Sequence, residues 1–244
     1  MERVLLERHG AIAWLRMNRP ETLNGFDGPM ITAMLARLAE LRSDSGVRAA
    51  VLSGEGRSFC TGLDTKLLGS GGCDQRYFDG WEDIFDALDG LEVPIVAAVN
   101  GHCLGGGLAL ALCADYRIGA DNLVIGYGAV RHGVVPPHLF QLTRAVGSLL
   151  ARRLAIFAEY VGAEEALRIG LVDAVVPADR LAEAAGQAAL RVAAFPPQGV
   201  RETRQLLREA SSVDVRGSRA HQMAAWERCL AALAAGASAR DGAG

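Results

Sequence analysis

The sequence predicts one α/β domain followed by a helical extension. Short apolar, β-branched runs alternate with amphipathic helical segments in the first half of the 244-residue chain, whereas the second half is mostly helical. Hydrophobic residues make up 50% of the chain, which is enough for a full core. The sequence contains no internal repeat and no long linker. We therefore expect a core over residues 1–195 and a C-terminal helical region over residues 196–244.

The first half contains predicted strands that are separated by two predicted helices. The strands are Val4–Arg8, Ala11–Met17, Val47–Leu52 and Ile95–Val99. Asp27 can cap the first helix, whose apolar residues recur at helical spacing up to Leu41. A second helix begins at Asp74 and carries aromatic residues on one side, a pattern that favours ordinary core packing over a substrate wall. Between these helices, the GSGG segment at 69–72 is typical of a loop.

Residues 93–120, VPIVAAVNGHCLGGGLALALCADYRIGA, form the predicted chemical centre of the chain. The strand Ile95–Val99 leads into a turn, Asn100–Gly107, that ends in three glycines. Leu108–Ala114 follows as a segment of good helix formers. This order exposes backbone N–H groups at the start of a helix. Such groups suit an anion, or an oxygen that becomes anionic during a reaction.

The second half is predicted to be helical, with two short strands at Leu123–Ile125 and Leu171–Val176. The segment Gly126–His138 is rich in Gly, Pro and His, which indicates an irregular loop. The predicted helices are Leu139–Val146, Ser148–Phe157, Ala163–Gly170, Asp179–Ala194, Gly199–Ala210 and Arg219–Leu233.

Composition argues against several classes of protein. The net charge of −3 does not favour binding to nucleic acid or to an anionic membrane, and no apolar run approaches the roughly 20 residues that span a bilayer. The N-terminal MERVLLERHG lacks the apolar core of a secretory signal. The five cysteines include no CxxC pair, so neither a disulfide framework nor a metal site is expected. We expect a cytoplasmic protein.

Four motifs resemble those of the enoyl-CoA hydratase/isomerase family, the crotonase superfamily. They are NRPETLNGFD at 18–27, GEGRSFCTGLD at 54–64, VPIVAAVNGHCLGGG at 93–107 and ALRIGLVDAVVP at 166–177. The resemblance covers the chain from about Val4 to Leu233. It implies a crotonase-like spiral of ββα units, followed by a C-terminal helical region that builds a homotrimer or a hexamer. It also implies acyl-thioester substrates, usually of coenzyme A, with no cofactor beyond that carrier.

The resemblance implies an oxyanion hole made of two backbone amides, those of Leu63 and Gly106. Two convergent N–H donors would stabilise the oxygen of a thioester enolate, and the loss of one such donor typically costs about 3 kcal/mol of barrier. The competing interpretation is that the glycines only permit close packing of helix on strand. A dinucleotide site is disfavoured because the turn lacks the GxGxxG spacing.

The resemblance further implies that the loops at Glu21–Leu23 and Leu63–Lys66 hold the nucleotide part of coenzyme A. The implied substrate-binding residues are Arg19, Thr22, Gly62, Asp64, Lys66, His102, Gly105 and Pro136. Two of them, Arg19 and Lys66, could meet its phosphates, although each could equally be a solvated surface charge. For Asp64 we favour a structural role in its loop.

The chain departs from the family where hydratases carry two glutamates. The corresponding positions hold Ala109 and Ala129, and alanine cannot transfer protons. His132 and His138 are candidate acid/base residues because the loop after the second position lines the acyl pocket in the family and a histidine titrates near neutral pH. Either histidine could instead be an ordinary loop or core residue. Arg131 could bind a carboxylate on the acyl group or form a surface ion pair.

Relatives usually continue into a last helix that closes over the nucleotide, where this chain ends in SARDGAG. A substrate on a carrier protein therefore becomes a further expectation.

The leading hypothesis is an enzyme of lyase or isomerase type, in fatty-acid metabolism, that stabilises an enolate without two-glutamate hydration. Alternatives are a non-catalytic acyl-thioester-binding or assembly subunit and a carrier-linked decarboxylase. A hydrolase using Cys103 is weak, because no GxSxG elbow is present.

Overall fold

The structure is a computed structural model that describes residues 2–67, 72–210, 221–232 and 235. The strands are β1 (Val4–His9), β2 (Ile12–Met17), β3 (Ala49–Gly54), β4 (Ser58–Cys60), β5 (Ile95–Val99), β6 (His102–Leu104), β7 (Tyr116–Ala120), β8 (Val124–Gly126), β9 (Tyr160–Gly162) and β10 (Ala174–Val176). The helices are α1 (Gly28–Ser43), α2 (Gln75–Asp89), α3 (Gly106–Leu112), α4 (Leu139–Ile156), α5 (Ala163–Arg168), α6 (Leu181–Ala193), α7 (Pro197–Glu209) and α8 (221–232). Most of the predicted GSGG loop lies outside the described residues.

The ten strands of the described residues form two separate sheets. The larger has the order β1-β2-β3-β5-β7-β10, and its neighbours are parallel except for the β1–β2 hairpin. The smaller has the order β4-β6-β8-β9 and is parallel except for β8–β9. The pairs β3–β4, β5–β6 and β7–β8 each give one strand to each sheet, and a helix follows each pair. These three ββα units confirm the predicted crotonase-like spiral.

Side chains alternate between the two faces of the larger sheet along each strand, and other elements cover both faces. Leu52 and Ala97 belong to the main core, which α1, α2 and α3 also line. Val51 and Val96 point the other way and pack with alanines of α6. Both faces are therefore dry, which explains the continuous apolar runs of the parallel strands.

Local sequence signals set the helix boundaries as predicted. The Asp27 carboxylate accepts a hydrogen bond from Met30 N at 2.9 Å, and the Asp74 carboxylate accepts one from Tyr77 N at 3.0 Å. Gly147 has φ 78° and ψ 162° inside α4, so the two predicted helices there are one element with a break. The start of α7 at Pro197 rather than Gly199 follows from proline's suitability for the first helical turn.

Four of the described strands were not predicted, and one of them is β4, which falls in the segment after the predicted strand Val47–Leu52. β6 lies within the predicted turn, whereas β7 and β9 fall in segments for which no strand was expected. β6 and β9 have only three residues each, too few to show an alternating pattern. They form because distant strands offer partners: Cys103 of β6 lies between Cys60 and Ile125.

Arg204 ties α7 to the core. Its guanidinium, which is almost fully buried, donates from Nε to the Asp115 carboxylate at 2.8 Å and from other nitrogens to carbonyls at the end of α2 and at Leu91. Asp115 also accepts a hydrogen bond from Ile95 N at 2.7 Å, at the start of β5. The division at residues 195 and 196 stays a prediction. Among the described helices, none combines the length and the apolar character that crossing a membrane requires.

We expect Arg204→Met to lower the free energy of unfolding by about 3 kcal/mol, because it removes the buried cation that pairs with the Asp115 carboxylate and donates to several carbonyls. The matched control is Arg201→Met on the same helix, which removes only an exposed ion pair with Glu92 at 3.2 Å and costs about 0–1 kcal/mol. Urea unfolding followed by circular dichroism measures both. Equal losses for the two variants would contradict this account of α7.

Candidate active site

Glycines at the start of α3 bring the helix directly onto β4. A Cβ at Gly107 would lie 2.0 Å from the carbonyl oxygen of Cys60, so only glycine fits there. Gly105 caps the helix with φ 57° and ψ −122°, a conformation that L residues rarely adopt. The three consecutive glycines therefore serve close packing and a special backbone turn at once.

The loop after β4 touches the start of α3 through backbone atoms. Gly62 has φ 76°, and a Cβ on it would lie 2.4 Å from Gly106 N. This contact places the next residue, Leu63, beside the helix N-terminus. The two motifs that the resemblance links are thus joined in space.

Neither Leu63 N–H nor Gly106 N–H has an acceptor among the described residues. Phe26 bridges across Leu63, because Phe26 N donates to Gly62 O at 2.7 Å and Asp64 N donates to Phe26 O at 3.1 Å. The Leu63 peptide group therefore turns to the opposite side, away from that bridge. Two unused backbone donors on adjoining segments are the kind of group that stabilises an oxyanion.

Both residues line a cleft of about 660 Å³. Its lining residues come from the loop before α1, the segments on both sides of β4, helix α2, the end of β6, the start of α3, the segment after β8, and β9. They are Glu21, Thr22, Leu23, Arg57, Thr61, Leu63, Asp64, Thr65, Lys66, Tyr77, Phe78, Trp81, Glu82, Leu104, Gly105, Gly106, Gly128, Ala129, His132, Val134, Val135, Pro136, Pro137 and Tyr160. Apolar and aromatic side chains dominate α2's wall, which suits an acyl chain.

Most of the predicted site residues lie in this cleft, but four do not. Gly62 lies behind the wall, where it supports Gly106. His102 is part of β6, and its carbonyl accepts a hydrogen bond from Ser58 Oγ at 2.8 Å. Arg19 and His138 also lie outside the lining. These four residues are close in sequence to residues that line the cleft, yet they do not line it themselves.

Arg19 is a structural residue of the loop before α1. Its guanidinium lies 3.0 Å from the Asp64 carboxylate and 3.3 Å from that of Asp27, and it donates to Gly25 O at 2.9 Å. Its predicted contact with phosphates is therefore not supported by its placement, because two carboxylates already engage it. The Asp64–Arg19 pair agrees with the structural role expected of Asp64. Lys66 remains exposed at the cleft.

His138 is buried beneath the cleft wall. Its ring centroid lies 3.7 Å from that of Phe85 and 5.0 Å from that of Phe140. Its Nδ1 is buried without a hydrogen-bond partner, and Nε2 lies 3.8 Å from a carboxylate oxygen of Glu82. Burial lowers the pKa of His138 to about 4, so the ring is neutral at pH 7. His132, by contrast, is exposed and lines the cleft.

Sequence reasoning missed several polar residues of the cleft, among them Arg57, Glu82 and Tyr160. Glu82 lies one helical turn after Phe78 on α2, so the spacing of the aromatic stripe could have indicated that it shares the wall. Tyr160 belongs to β9, and its ring lies 4.9 Å from the guanidinium of Arg131. Arg131 also donates to Ala158 O at 2.6 Å, so it is occupied outside the cleft.

Cys103 is fully buried in β6, and burial raises the pKa of its thiol well above the usual value. A thiol held in this form is a poor nucleophile. The structure thus gives no support to a cysteine hydrolase centred on Cys103.

Comparison with known proteins connects this geometry to one family. The profile described as enoyl-CoA hydratase/isomerase matches residues 7–242. The short-chain-enoyl-CoA hydratase of Clostridium acetobutylicum is 32% identical over 94% of this chain and 90% of its own length. The (E)-benzylidenesuccinyl-CoA hydratase of Thauera aromatica is 36% identical over 83% of this chain and 80% of its own.

Solved structures show the same similarity. A monofunctional enoyl CoA isomerase from M. smegmatis superposes with a TM-score of 0.79 at 32% identity, covering 90% of this chain and 99% of that one. An enoyl-CoA hydratase from Bacillus anthracis superposes with a TM-score of 0.87 at 24% identity, over 93% and 91% of the two chains. The second similarity bears on the fold alone.

Gly62→Ala should destabilise the protein more than Gly10→Ala. Both glycines have positive φ, so each alanine costs about 1–2 kcal/mol of unfolding free energy in backbone strain. A Cβ at Gly10 meets open space, whereas one at Gly62 strikes Gly106 N and should cost about 1–3 kcal/mol more. Denaturant unfolding measures both, and equal losses would exclude the backbone contact.

The burial of His138 predicts a loss of stability on acidification. The unfolded chain binds this proton near pH 6.5 and the folded chain only near pH 4, so stability falls as the pH drops through that window, by on the order of 3 kcal/mol. His138→Phe keeps a ring between Phe85 and Phe140 but cannot titrate. As the pH falls from 7 to 4, the unfolding free energy of the variant should therefore increase relative to that of the wild type. A pH-independent difference would contradict the prediction.

Proposed function

Because this chain belongs to the enoyl-CoA hydratase/isomerase family, we propose that it binds an acyl thioester and stabilises the enolate in a backbone oxyanion hole. The observation that carries the proposal is the pair of unused amides at Leu63 and Gly106, which face a largely apolar cleft. The thioester oxygen becomes anionic when the α-carbon loses a proton. Two backbone donors then stabilise it, each worth about 3 kcal/mol of barrier.

We propose that the reaction is not the two-glutamate hydration of the family's hydratases. By the resemblance, the positions of those glutamates are occupied here by Ala109, which is fully buried in α3, and by Ala129, which lines the cleft. Neither methyl group can activate a water molecule. A proton shift along the acyl chain needs no water, and it matches the name of the M. smegmatis isomerase. Isomerisation of a β,γ-enoyl thioester is therefore the favoured reaction.

Two cations of the cleft lining suit the phosphates of coenzyme A. Arg57 and Lys66 are exposed and line the cleft together with Thr22. Phosphates could pair with both cations, and the apolar wall of α2 would then receive the acyl group. The same part of the cleft could accept the phosphopantetheine arm of a carrier protein.

Self-assembly into a homotrimer or hexamer is part of the proposal. The described part of the chain exposes large apolar side chains on α4 and on the helices after it, as expected of a surface that another copy covers. They include Leu149, Ile156, Phe157, Leu190, Phe195, Leu207, Met223, Trp226 and Leu230. A cytoplasmic location, with no metal and no nucleic-acid partner, completes the proposal.

The test compares three thioesters at equal concentration. We expect the protein to convert 3-hexenoyl-CoA to its conjugated isomer, seen as a rise in enoyl-thioester absorbance. This protein should hydrate crotonyl-CoA at least about 100-fold more slowly than a hydratase that has both glutamates. Each missing general acid or base contributes that factor or more.

Other outcomes identify the alternatives. Carbon dioxide release from malonyl-CoA alone would favour the decarboxylase. Binding of acyl-CoA by calorimetry without turnover of any of the three would favour the non-catalytic subunit. Turnover of crotonyl-CoA like that of an ordinary hydratase would refute the proposal.

A further inference from the structure

Helix α2 holds a carboxylate at a defined place in the cleft wall. Trp81 packs against the oxyanion site so closely that a Cβ at Gly106 would lie 2.7 Å from its Cη2 atom. The ring of Trp81 also lies 4.5 Å from that of Phe26, whose carbonyl accepts a hydrogen bond from Tyr77 Oη at 2.9 Å. These contacts fix α2 relative to Gly106. Glu82 is the next residue on the helix and lines the same cleft.

Three carboxylates line the cleft, and Glu82 differs from the other two. Asp64 pairs with Arg19 at 3.0 Å and is largely buried in its loop. Glu21 lies 3.9 Å from the same arginine, in the loop that carries Thr22. Among the described residues, no arginine or lysine forms an ion pair with Glu82. A carboxylate without a cation keeps its basicity.

His138 supports Glu82 from behind the wall. Its Nε2 lies 3.8 Å from Glu82 Oε2, and its ring is held between Phe85 and Phe140. This distance is longer than a hydrogen bond, and catalytic hydrogen bonds commonly shorten when a substrate binds. The buried Nδ1 lacks a partner, so Nε2 is the nitrogen that can engage a neighbour. Both Glu82 and His132 are exposed, but His132 lies at the end of a short 3-10 turn and has no ion-pair or ring contact among the described residues.

We propose that Glu82 is the catalytic proton-transfer residue of this cleft and that His138 is its positioning residue. This inference rests on the proposed function, because it names the group that forms the enolate. It assigns to α2 the task for which the family's glutamate positions, Ala109 and Ala129, have no side chain.

The proposed step balances without a co-reactant. The Glu82 carboxylate accepts the α-proton of a β,γ-enoyl thioester, and the α-C–H bond breaks. The electron pair delocalises onto the thioester oxygen, which the Leu63 and Gly106 amides hold as a dienolate. The protonated Glu82 then returns the same proton to the γ-carbon, so that the double bond moves into conjugation. Glu82 ends the cycle as the carboxylate.

The electrostatics around Glu82 agree with this role. Partial burial, followed by the nearby Asp86 carboxylate, raises the pKa of Glu82, which strengthens it as a base. The groups facing it are Asp86 on its own helix, His138 at the start of α4 and Cys113 at the end of α3. His138 is neutral at pH 7, so a hydrogen bond from it lowers the basicity of the carboxylate less than a positively charged partner would.

The first test isolates proton abstraction from the net reaction. Butyryl-CoA is incubated in D₂O, and exchange of its α-protons is followed by mass spectrometry. We expect Glu82→Gln to lose about 100-fold or more of the wild-type exchange rate, with an unchanged dissociation constant for butyryl-CoA. The matched control is Asp83→Asn, because Asp83 is exposed on α2 and does not line the cleft. It should exchange at the wild-type rate.

The second test concerns His138. In His138→Leu the carboxylate loses its donor, so the acidic limb of the exchange–pH profile should move to higher pH. His138→Gln retains an N–H donor near the Nε2 position and should restore most of the wild-type profile. A purely structural role would lower the rate of both variants without moving the limb.

The outcomes separate this inference from the proposed function. Exchange by the wild type with full activity in Glu82→Gln would overturn the role of Glu82 and leave the enolate function intact. Loss of exchange in His132→Asn but not in Glu82→Gln would transfer the role to His132. Absence of exchange in the wild type itself, despite butyryl-CoA binding, would overturn both proposals.

Discussion

The backbone contact between Gly62 and Gly106 is the constraint on which the cleft depends. It requires a residue without a side chain and with positive φ after β4, and another residue without a side chain at the start of α3. Because the two segments touch through main-chain atoms, Leu63, which follows Gly62, lies on a segment that adjoins the Gly106 amide. Phe26 then occupies the groups on either side of the Leu63 peptide. The donors remain free because their neighbours are satisfied, and no side chain has to supply them.

An oxyanion site made of backbone groups separates two tasks that side-chain sites combine. The amides determine which intermediate is stabilised, whereas a side chain must determine which proton moves. In the proposed function, the chain keeps the first task in the spiral of strands and α3. With alanine at 109 and 129, the second task requires a group from another wall, and α2 is the wall that Trp81 holds against the site. This separation explains how one scaffold can serve several reactions of acyl thioesters.

Local signals explain why most of the fold could be predicted. Asp27 and Asp74 cap their helices, Gly10 closes the hairpin and Gly147 breaks α4, and each effect depends on residues within about four positions. The short strands β6 and β9 could not be predicted in this way. Their three residues carry no period, and they exist only because β4 and β8 offer hydrogen-bonding edges.

The same division holds for the site. The sequence by itself determined the glycine turns, and through them the backbone donors at Leu63 and Gly106, because a motif of glycines acts on its own backbone. Only the tertiary structure decided which side chains reach the cleft. It turned Arg19 towards Asp64, buried His138 against Phe85 and brought Glu82 to the wall. The direction of a side chain depends on packing between elements far apart in the chain, and no local pattern encodes that packing.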